Sequence, residues 1–244
     1  MMALTQLLVL AHVVHAAPLP AQMSHPGSNF SLQRACPPVA TQGDFNLDEW
    51  VRASWYIQEQ QVTGYQSPED LFCVVATYEI EGREVPGFDG TVVSVYNYQN
   101  RGAVNGPGTD PGQEPLCARL VDPAEPSKII NAPCFLPNFL AGDYWVVAAG
   151  PSPERYTWGI VSGGQPDVPG SDGGCSNTEE GVNGSGFWLF SRSPILSDQD
   201  LEDIRTVARM NGFTLERMRP VQQVDPLTGE PCQYIGARIK HDHA

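Results

Sequence analysis

Few residues of this chain have the types and spacing that catalysis needs. The five histidines lie near the two ends of the chain, at His12, His15, His25, His241 and His243. Serine and cysteine nucleophiles are usually activated by a neighbouring base, most often a histidine. Ser185 stands in Asn183-Gly184-Ser185-Gly186-Phe187, which lacks both framing glycines of a Gly-x-Ser-x-Gly nucleophile turn. We therefore expect no catalytic residue.

Cofactor and metal motifs are also missing from the sequence. No Gly-x-Gly-x-x-Gly segment and no phosphate loop follows a strand pattern, and no two cysteines have the Cys-x-x-Cys spacing of a zinc site. His241-Asp242-His243 could touch a metal ion, but the end of a chain is more often a frayed tail. We expect neither a metal nor a cofactor.

The six cysteines indicate disulfide bonds. They are widely spread, at Cys36, Cys73, Cys117, Cys134, Cys175 and Cys232. An even number of dispersed cysteines in an exported chain predicts three disulfides, and the sequence alone allows 15 pairings. Cys117 and Cys134 flank a hairpin that turns at 123–126, so they lie close enough to bond each other.

Charge and composition narrow the classes of protein. Acidic residues outnumber basic ones, 28 to 14, which gives a net charge of -14. This field would repel a phosphate backbone, so nucleic acid is not an expected partner. Hydrophobic residues make up 41%, enough for a core, and 24 glycines with 22 prolines favour turn-rich β structure.

The amino-terminal residues predict export from the cell. A short apolar run from Leu7 to Val14 ends in Val14-His15-Ala16, which resembles a cleavage site, so residues 1–16 are interpreted as a secretory signal peptide. The alternative is a buried or membrane-lying helix. We expect the mature protein to be extracellular. Asn29 and Asn183 then stand in potential N-glycosylation sequons.

The remaining chain divides into an arm, a body and a tail. Residues 17–43 have no periodicity and predict a loose arm, residues 44–235 form the body, and 236–244 form a tail. Two Gly/Pro-rich loops, 100–115 and 163–186, interrupt the body. Strand patterns recur at barrel-like spacing, at 55–60, 72–80, 91–99, 116–121, 128–133, 144–149, 156–162 and 187–192.

One amphipathic helix is predicted after these strands, over residues 198–211. Ser197 is a suitable N-cap, and Asp200 occupies the third position that completes a capping box. Leu201, Ile204, Val207 and Ala208 form its apolar stripe, and Gly212 ends it.

Aromatic residues within the strand patterns suggest a binding cavity. An eight-stranded barrel has an interior just wide enough for one small ligand, and aromatic lining suits a hydrophobic one. Alternation places Val74, Ala76 and Tyr78 on one face of the second strand, and Trp145 and Val147 on one face of the sixth.

Four motifs in order resemble the lipocalins, most closely the apolipoprotein D and bacterial lipocalin branch. They are Cys36-Pro37-Pro38 with Ala53-Ser54-Trp55-Tyr56, Cys73 to Tyr78, Gly142 to Ala148, and Trp188 to Pro194 before the helix. Two departures stand out: Ala53 replaces the family's glycine, and Ala149-Gly150-Pro151 replaces its middle signature. A weaker resemblance is to the lipocalin domain of violaxanthin de-epoxidase-like proteins.

The resemblance implies an all-β fold, an eight-stranded up-and-down antiparallel barrel with one C-terminal α-helix. It implies that Val74, Ala76, Tyr78, Trp145 and Val147 face a ligand in the cavity. It also implies that Trp55 stacks on Arg192 at the barrel floor. By the same resemblance, Cys36 should bond Cys175 and Cys73 should bond Cys232.

The expected function is that of a secreted carrier of a small hydrophobic ligand, such as a lipid, retinoid, sterol or pigment. Two alternatives stay open: a lipocalin-fold enzyme acting on a carotenoid or fatty-acid derivative, and a structural barrel filled by its own side chains. Peripheral contact with a membrane or lipoprotein surface is left open, as is the oligomeric state.

Overall fold

The computed structural model describes residues 35–109, 112–180 and 185–242. The predicted signal peptide 1–16, the arm up to residue 34, and both sequon residues, Asn29 and Asn183, lie outside this range, as does His243. Those predictions therefore stay predictions.

Eight antiparallel strands close into a barrel, which confirms the predicted fold class. The barrel strands are β1 (Trp55–Gln61), β2 (Phe72–Glu79), β3 (Val92–Asn100), β4 (Leu116–Arg119), β5 (Lys128–Pro133), β6 (Gly142–Ser152), β7 (Arg155–Ser162) and β10 (Phe187–Ser191). Each pairs with the next in sequence, and β10 pairs with β1 to close the ring. Closure removes the exposed sheet edges that invite aggregation.

Shorter elements decorate this barrel. Helix α1 (Leu47–Val51) precedes β1, and the pair β8 (Val168–Pro169) and β9 (Cys175–Ser176) lies within the predicted loop 163–186. Strand β11 (Met218–Pro220) pairs with the end of β1. Two 3₁₀ turns span Pro68–Asp70 and Asn138–Leu140.

Strand direction defines two ends of the barrel. Because β1 begins beside α1 and neighbouring strands alternate in direction, β1, β3, β5 and β7 all end at the opposite end of the barrel, where the described residues of the connections that follow them lie. We call the α1 end the floor and the other end the mouth. Among the described residues, no helix is long and apolar enough to cross a membrane.

Helix α2 (Asp198–Met210) packs on the outer wall, close to its predicted range. The Ser197 hydroxyl accepts a hydrogen bond from the Asp200 backbone N–H at 3.1 Å, as predicted for the cap. Ile204 and Ala208 are buried against outward-facing side chains of the barrel, among them Ile160 and Leu189. Gly212 follows with φ +87°, a left-handed conformation that glycine adopts without steric cost.

All three predicted disulfides are present: Cys36–Cys175, Cys73–Cys232 and Cys117–Cys134. They enclose sequence separations of 139, 159 and 17 residues. Cys73 and Cys117 are each the second residue of a strand that begins at the mouth. Cys175 lies in the connection 163–186 at the same end, so the covalent links gather there.

The described parts of the predicted arm and tail are held against the barrel. Gln42 donates its backbone N–H to Val146 O at 2.9 Å, and its side chain accepts from Ala149 N–H at 2.8 Å. Residues 35–43 are therefore attached rather than loose, because Gln42 bonds to β6 and the backbone of Pro37 and Val39 bonds to the Gln165 side chain. At the other terminus, Lys240 N–H donates to the Ser54 hydroxyl at 2.8 Å, and Asp242 pairs with Arg52.

Candidate ligand-binding site

A cavity of about 810 Å³ occupies the barrel interior, and its lining also includes residues outside the barrel, Val75 and Arg238 among them. Its interior walls are apolar, built from Val74, Ala76, Val95, Leu116, Tyr78, Tyr144, Trp188 and Phe190, with Ile57 below Gln60 on β1. A volume and lining of this kind suit one small hydrophobic molecule.

Strand β2 places its side chains as the alternation predicted. Val74, Ala76 and Tyr78 belong to the interior core and line the cavity. Cys73 and Val75, on the other face, pack outside the barrel beneath the C-terminal segment. This inward orientation is confirmed, while the assignment of these three residues as ligand contacts stays a proposal.

Strand β6 requires a correction: the expectation that Trp145 and Val147 face inward is wrong. Tyr144 and Val146 belong to the interior core instead, and Val147 packs beneath α2. Trp145 lies on the outer surface, where the Lys128 ammonium is 5.4 Å from its ring centre. Both faces of β6 are apolar because α2 covers part of the outer one, so a period of two could not decide which face looks inward.

The floor is a tight aromatic layer. The ring centres of Trp50 and Trp55 are 4.5 Å apart, and both lie 6.0 Å from that of Phe190. Helix α1 brings Trp50 here, with the Asn46 side chain accepting from the Glu49 N–H at 3.2 Å as its cap. Such close packing seals this end of the cavity.

Arg192 lies beneath the floor and stacks on Trp55, as the resemblance implied. Its guanidinium carbon is 3.5 Å from the centre of the Trp55 ring. The guanidinium also donates to the carbonyls of Ala53, Ser54, Glu49 and Trp50. Burial lowers the pKa of Arg192 to about 9, which leaves it protonated at neutral pH. The contacts of this cation are therefore with the residues that close the floor.

Two tyrosines form a polar pair just above the floor. The hydroxyls of Tyr78 and Tyr144 are 2.7 Å apart, and both side chains are buried. The Tyr78 ring is also 6.3 Å from Trp50. Burial raises the pKa of both phenols well above 10, so both stay neutral at physiological pH. They are neutral hydrogen-bonding groups in an apolar cavity.

A chain of glutamines crosses the mouth. The Gln60 amide donates to Gln66 Oε1 at 2.7 Å, and the Gln66 amide donates to Gln99 Oε1 at 2.6 Å. A register shift in β1 between Ile57 and Glu59 turns Gln60 inward, where it is fully buried and lines the cavity. The rim adds the ion pair between Arg101 and Asp70 at 3.0 Å.

An uncharged apolar loop forms another part of the mouth. From Ile129 to Gly142 the sequence has no charged residue, although the chain carries a net charge of -14. Phe135 and Phe139 are 76% and 82% exposed, whereas Leu136 turns inward and lines the cavity. The rim therefore offers an apolar surface continuous with the interior.

Tyr144, Trp188 and Gln60 are among the cavity residues that sequence reasoning missed. Trp188 stands in the strand pattern as an aromatic residue, but nothing in the sequence sets its face apart from that of Trp145. Tyr144 adjoins Trp145, and the prediction of an inward aromatic residue was made for the larger ring of Trp145. Gln60 carried no signal because a polar residue at that position predicts exposure, and the register shift is visible only in the structure.

A second, smaller cleft lies between α2 and the outer wall. It has a volume of about 560 Å³ and is lined in part by Trp158, Ile204 and Asp200. Asp200 already accepts from the Ser197 hydroxyl at 2.6 Å.

In the described part of the chain, no group of three or more His, Cys, Asp or Glu side chains could hold a metal ion.

Comparison with known proteins gives similarity at the level of structure. No protein-family model and no curated protein sequence matches the chain. Lobster apocrustacyanin A1 is 16% identical over 86% of this chain and 98% of its own, with a TM-score of 0.47. Insecticyanin from the tobacco hornworm Manduca sexta is 16% identical over 82% and 89%, with a TM-score of 0.46.

A siderocalin is 14% identical over 80% of this chain and 96% of its own, with a TM-score of 0.39. The solved structures to which the chain is similar are lipocalins. The apolipoprotein D branch and the weaker resemblance to violaxanthin de-epoxidase-like proteins stay predictions.

Proposed function

We propose that this protein is a lipocalin-like carrier that sequesters one small hydrophobic ligand inside its barrel. The observation that carries the proposal is the cavity of about 810 Å³, sealed at one end by Trp50, Trp55 and Phe190. Its interior wall is apolar, and its opening is bordered by an uncharged loop. An open, apolar, one-ended cavity suits reversible uptake of an apolar molecule.

The driving force is removal of apolar surface from water. Each Å² of ligand and wall surface buried contributes about 25 cal/mol. The walls are supplied by well-packed strands, so little protein ordering is needed on binding and more of this energy contributes to affinity.

The place of action is proposed to be outside the cell. The apolar run that ends at Ala16 predicts a signal peptide, and three disulfides fit an oxidising compartment. Phe135 and Phe139 on the rim would let the mouth approach an apolar donor surface, such as a membrane or lipoprotein.

Extraction of the purified protein with organic solvent, followed by mass spectrometry, tests the proposal. We expect one hydrophobic compound per chain, or saturable uptake of one equivalent when retinal is added to stripped protein. A filled barrel would take up nothing. An enzyme would release a chemically altered compound after repeated turnover, so the same experiment separates the carrier from both alternatives.

A further inference from the structure

In the tyrosine pair above the floor, one of the two hydroxyl groups has no acceptor for its proton within the described part of the chain. Each phenol has one O–H donor, and the hydrogen bond between Tyr78 and Tyr144 engages only one of the two. Among the described residues, no other acceptor lies within hydrogen-bond distance of either hydroxyl. Whichever tyrosine donates to the other, one O–H remains free to donate within the cavity.

Of the residues that the structure describes, no charged side chain forms a hydrogen bond or an ion pair with the hydroxyls of the two tyrosines. The interior core around the pair consists of apolar and aromatic side chains. Arg192 is on the far side of Trp55, and its guanidinium donates to four backbone carbonyls. A carboxylate at the floor would lose its hydration without a counter-ion in contact with it, because Trp55 separates it from Arg192, and this is unfavourable.

We propose that the ligand is an uncharged molecule that enters with an oxygen leading, and that this oxygen accepts a hydrogen bond from the Tyr78–Tyr144 pair. The chemical class is a long apolar molecule ending in a carbonyl, ether or hydroxyl oxygen. This inference rests on the proposed carrier function and adds both the polarity of the ligand and its direction in the barrel.

Three retinoid probes that share one skeleton test the inference. Retinal ends in a neutral acceptor, retinoate ends in a carboxylate, and the parent hydrocarbon has no oxygen. The chain has two lysines, Lys128 and Lys240, and neither lines the cavity, so imine formation with the aldehyde does not compete there. Dissociation constants are measured by quenching of tryptophan fluorescence.

For the wild-type protein, we expect retinal to bind about fivefold more tightly than the hydrocarbon, since one hydrogen bond to a neutral group contributes about 1 kcal/mol. Retinoate should bind more weakly than retinal. Tightest binding by retinoate would overturn the inference while leaving the carrier function intact. Absence of saturable binding by all three probes would overturn the carrier function, and the inference with it.

Tyrosine variants locate the donor. Tyr78→Phe or Tyr144→Phe alone leaves one hydroxyl whose proton is free, so each single variant should lose less than threefold in affinity for retinal. The double variant removes both partners of this hydrogen bond at once, so neither phenol is left buried without the other, and folding should be preserved. The double variant should lose about fivefold in affinity for retinal and nothing for the hydrocarbon. An unchanged ratio of the two affinities in the double variant would place the ligand oxygen elsewhere.

Discussion

The floor and the mouth of this barrel are built on opposite principles. At the floor, aromatic rings and the Arg192 guanidinium interlock, and the backbone carbonyls of α1 are used as acceptors. At the mouth, Phe135 and Phe139 are exposed, and disulfide bonds rather than packed side chains hold the loops together. The floor therefore carries stability through its core, whereas the mouth can be open because disulfides hold its loops.

The largest expected effect comes from removing the longest cross-link of the mouth. Cys73→Ser combined with Cys232→Ser frees a separation of 159 residues, which should lower the free energy of unfolding by about 5 kcal/mol in the chain-entropy account. Denaturant unfolding measures it.

The matched control is Cys117→Ser with Cys134→Ser, which frees only 17 residues and should cost about 3 kcal/mol. If the short link cost as much as the long one, chain entropy would not be the reason why the mouth is stable.

Two phenylalanines compare the ends of the barrel directly. Phe190 is buried in the floor, and Phe190→Ala should destabilise the protein by about 4 kcal/mol through the cavity it leaves. Phe139→Ala at the mouth should change stability by less than about 0.5 kcal/mol, because that ring is already in water. Thermal unfolding of both variants measures the two losses of stability. Equal losses would contradict the difference between floor and mouth.

Arg192→Ala should lower stability by about 3 kcal/mol and leave retinal affinity unchanged. The substitution leaves several buried carbonyls without donors and removes the contact with Trp55. Arg238→Ala is the control, since Arg238 also stacks on a ring, that of Tyr96 at 4.0 Å, but is 55% exposed. A variant of Arg192 that melts normally and binds poorly would make this residue a ligand contact.

The smallest effect distinguishes two tryptophans of similar sequence context. Trp188 lines the cavity and Trp145 does not, so Trp188→Ala should weaken retinal binding by about 2 kcal/mol. Trp145→Ala should leave it unchanged. Titration of both variants against wild type measures the difference, and a reversed order would put the ligand outside the barrel.

The sequence predicted the barrel well because its signals are local or carried by motifs. Strand patterns, the cap at Ser197 and the hairpin cysteines each depend on nearby residues. Orientation was predicted correctly on β2, where the motif from Cys73 to Tyr78 set the register. On β6 both faces are apolar, so the choice between Tyr144 and Trp145 depended on contacts with α2 that only folding reveals.

The candidate site was less predictable than the fold for the same reason. The hydrogen bond between Tyr78 and Tyr144 joins residues 66 positions apart, and no local sequence pattern predicts it. Gln60 faces inward only because β1 shifts register after Ile57. Attachment of residues 35–43 likewise follows from hydrogen bonds to β6 and to the Gln165 side chain rather than from any periodicity of their own.

A crystal structure of the protein with retinal bound tests the central claim most directly. The account predicts one molecule inside the barrel, its chain passing Trp188 and its oxygen within hydrogen-bond distance of Tyr78 or Tyr144. Retinal found instead in the cleft between α2 and the outer wall, beside Trp158, with the barrel interior closed by side chains, would contradict it.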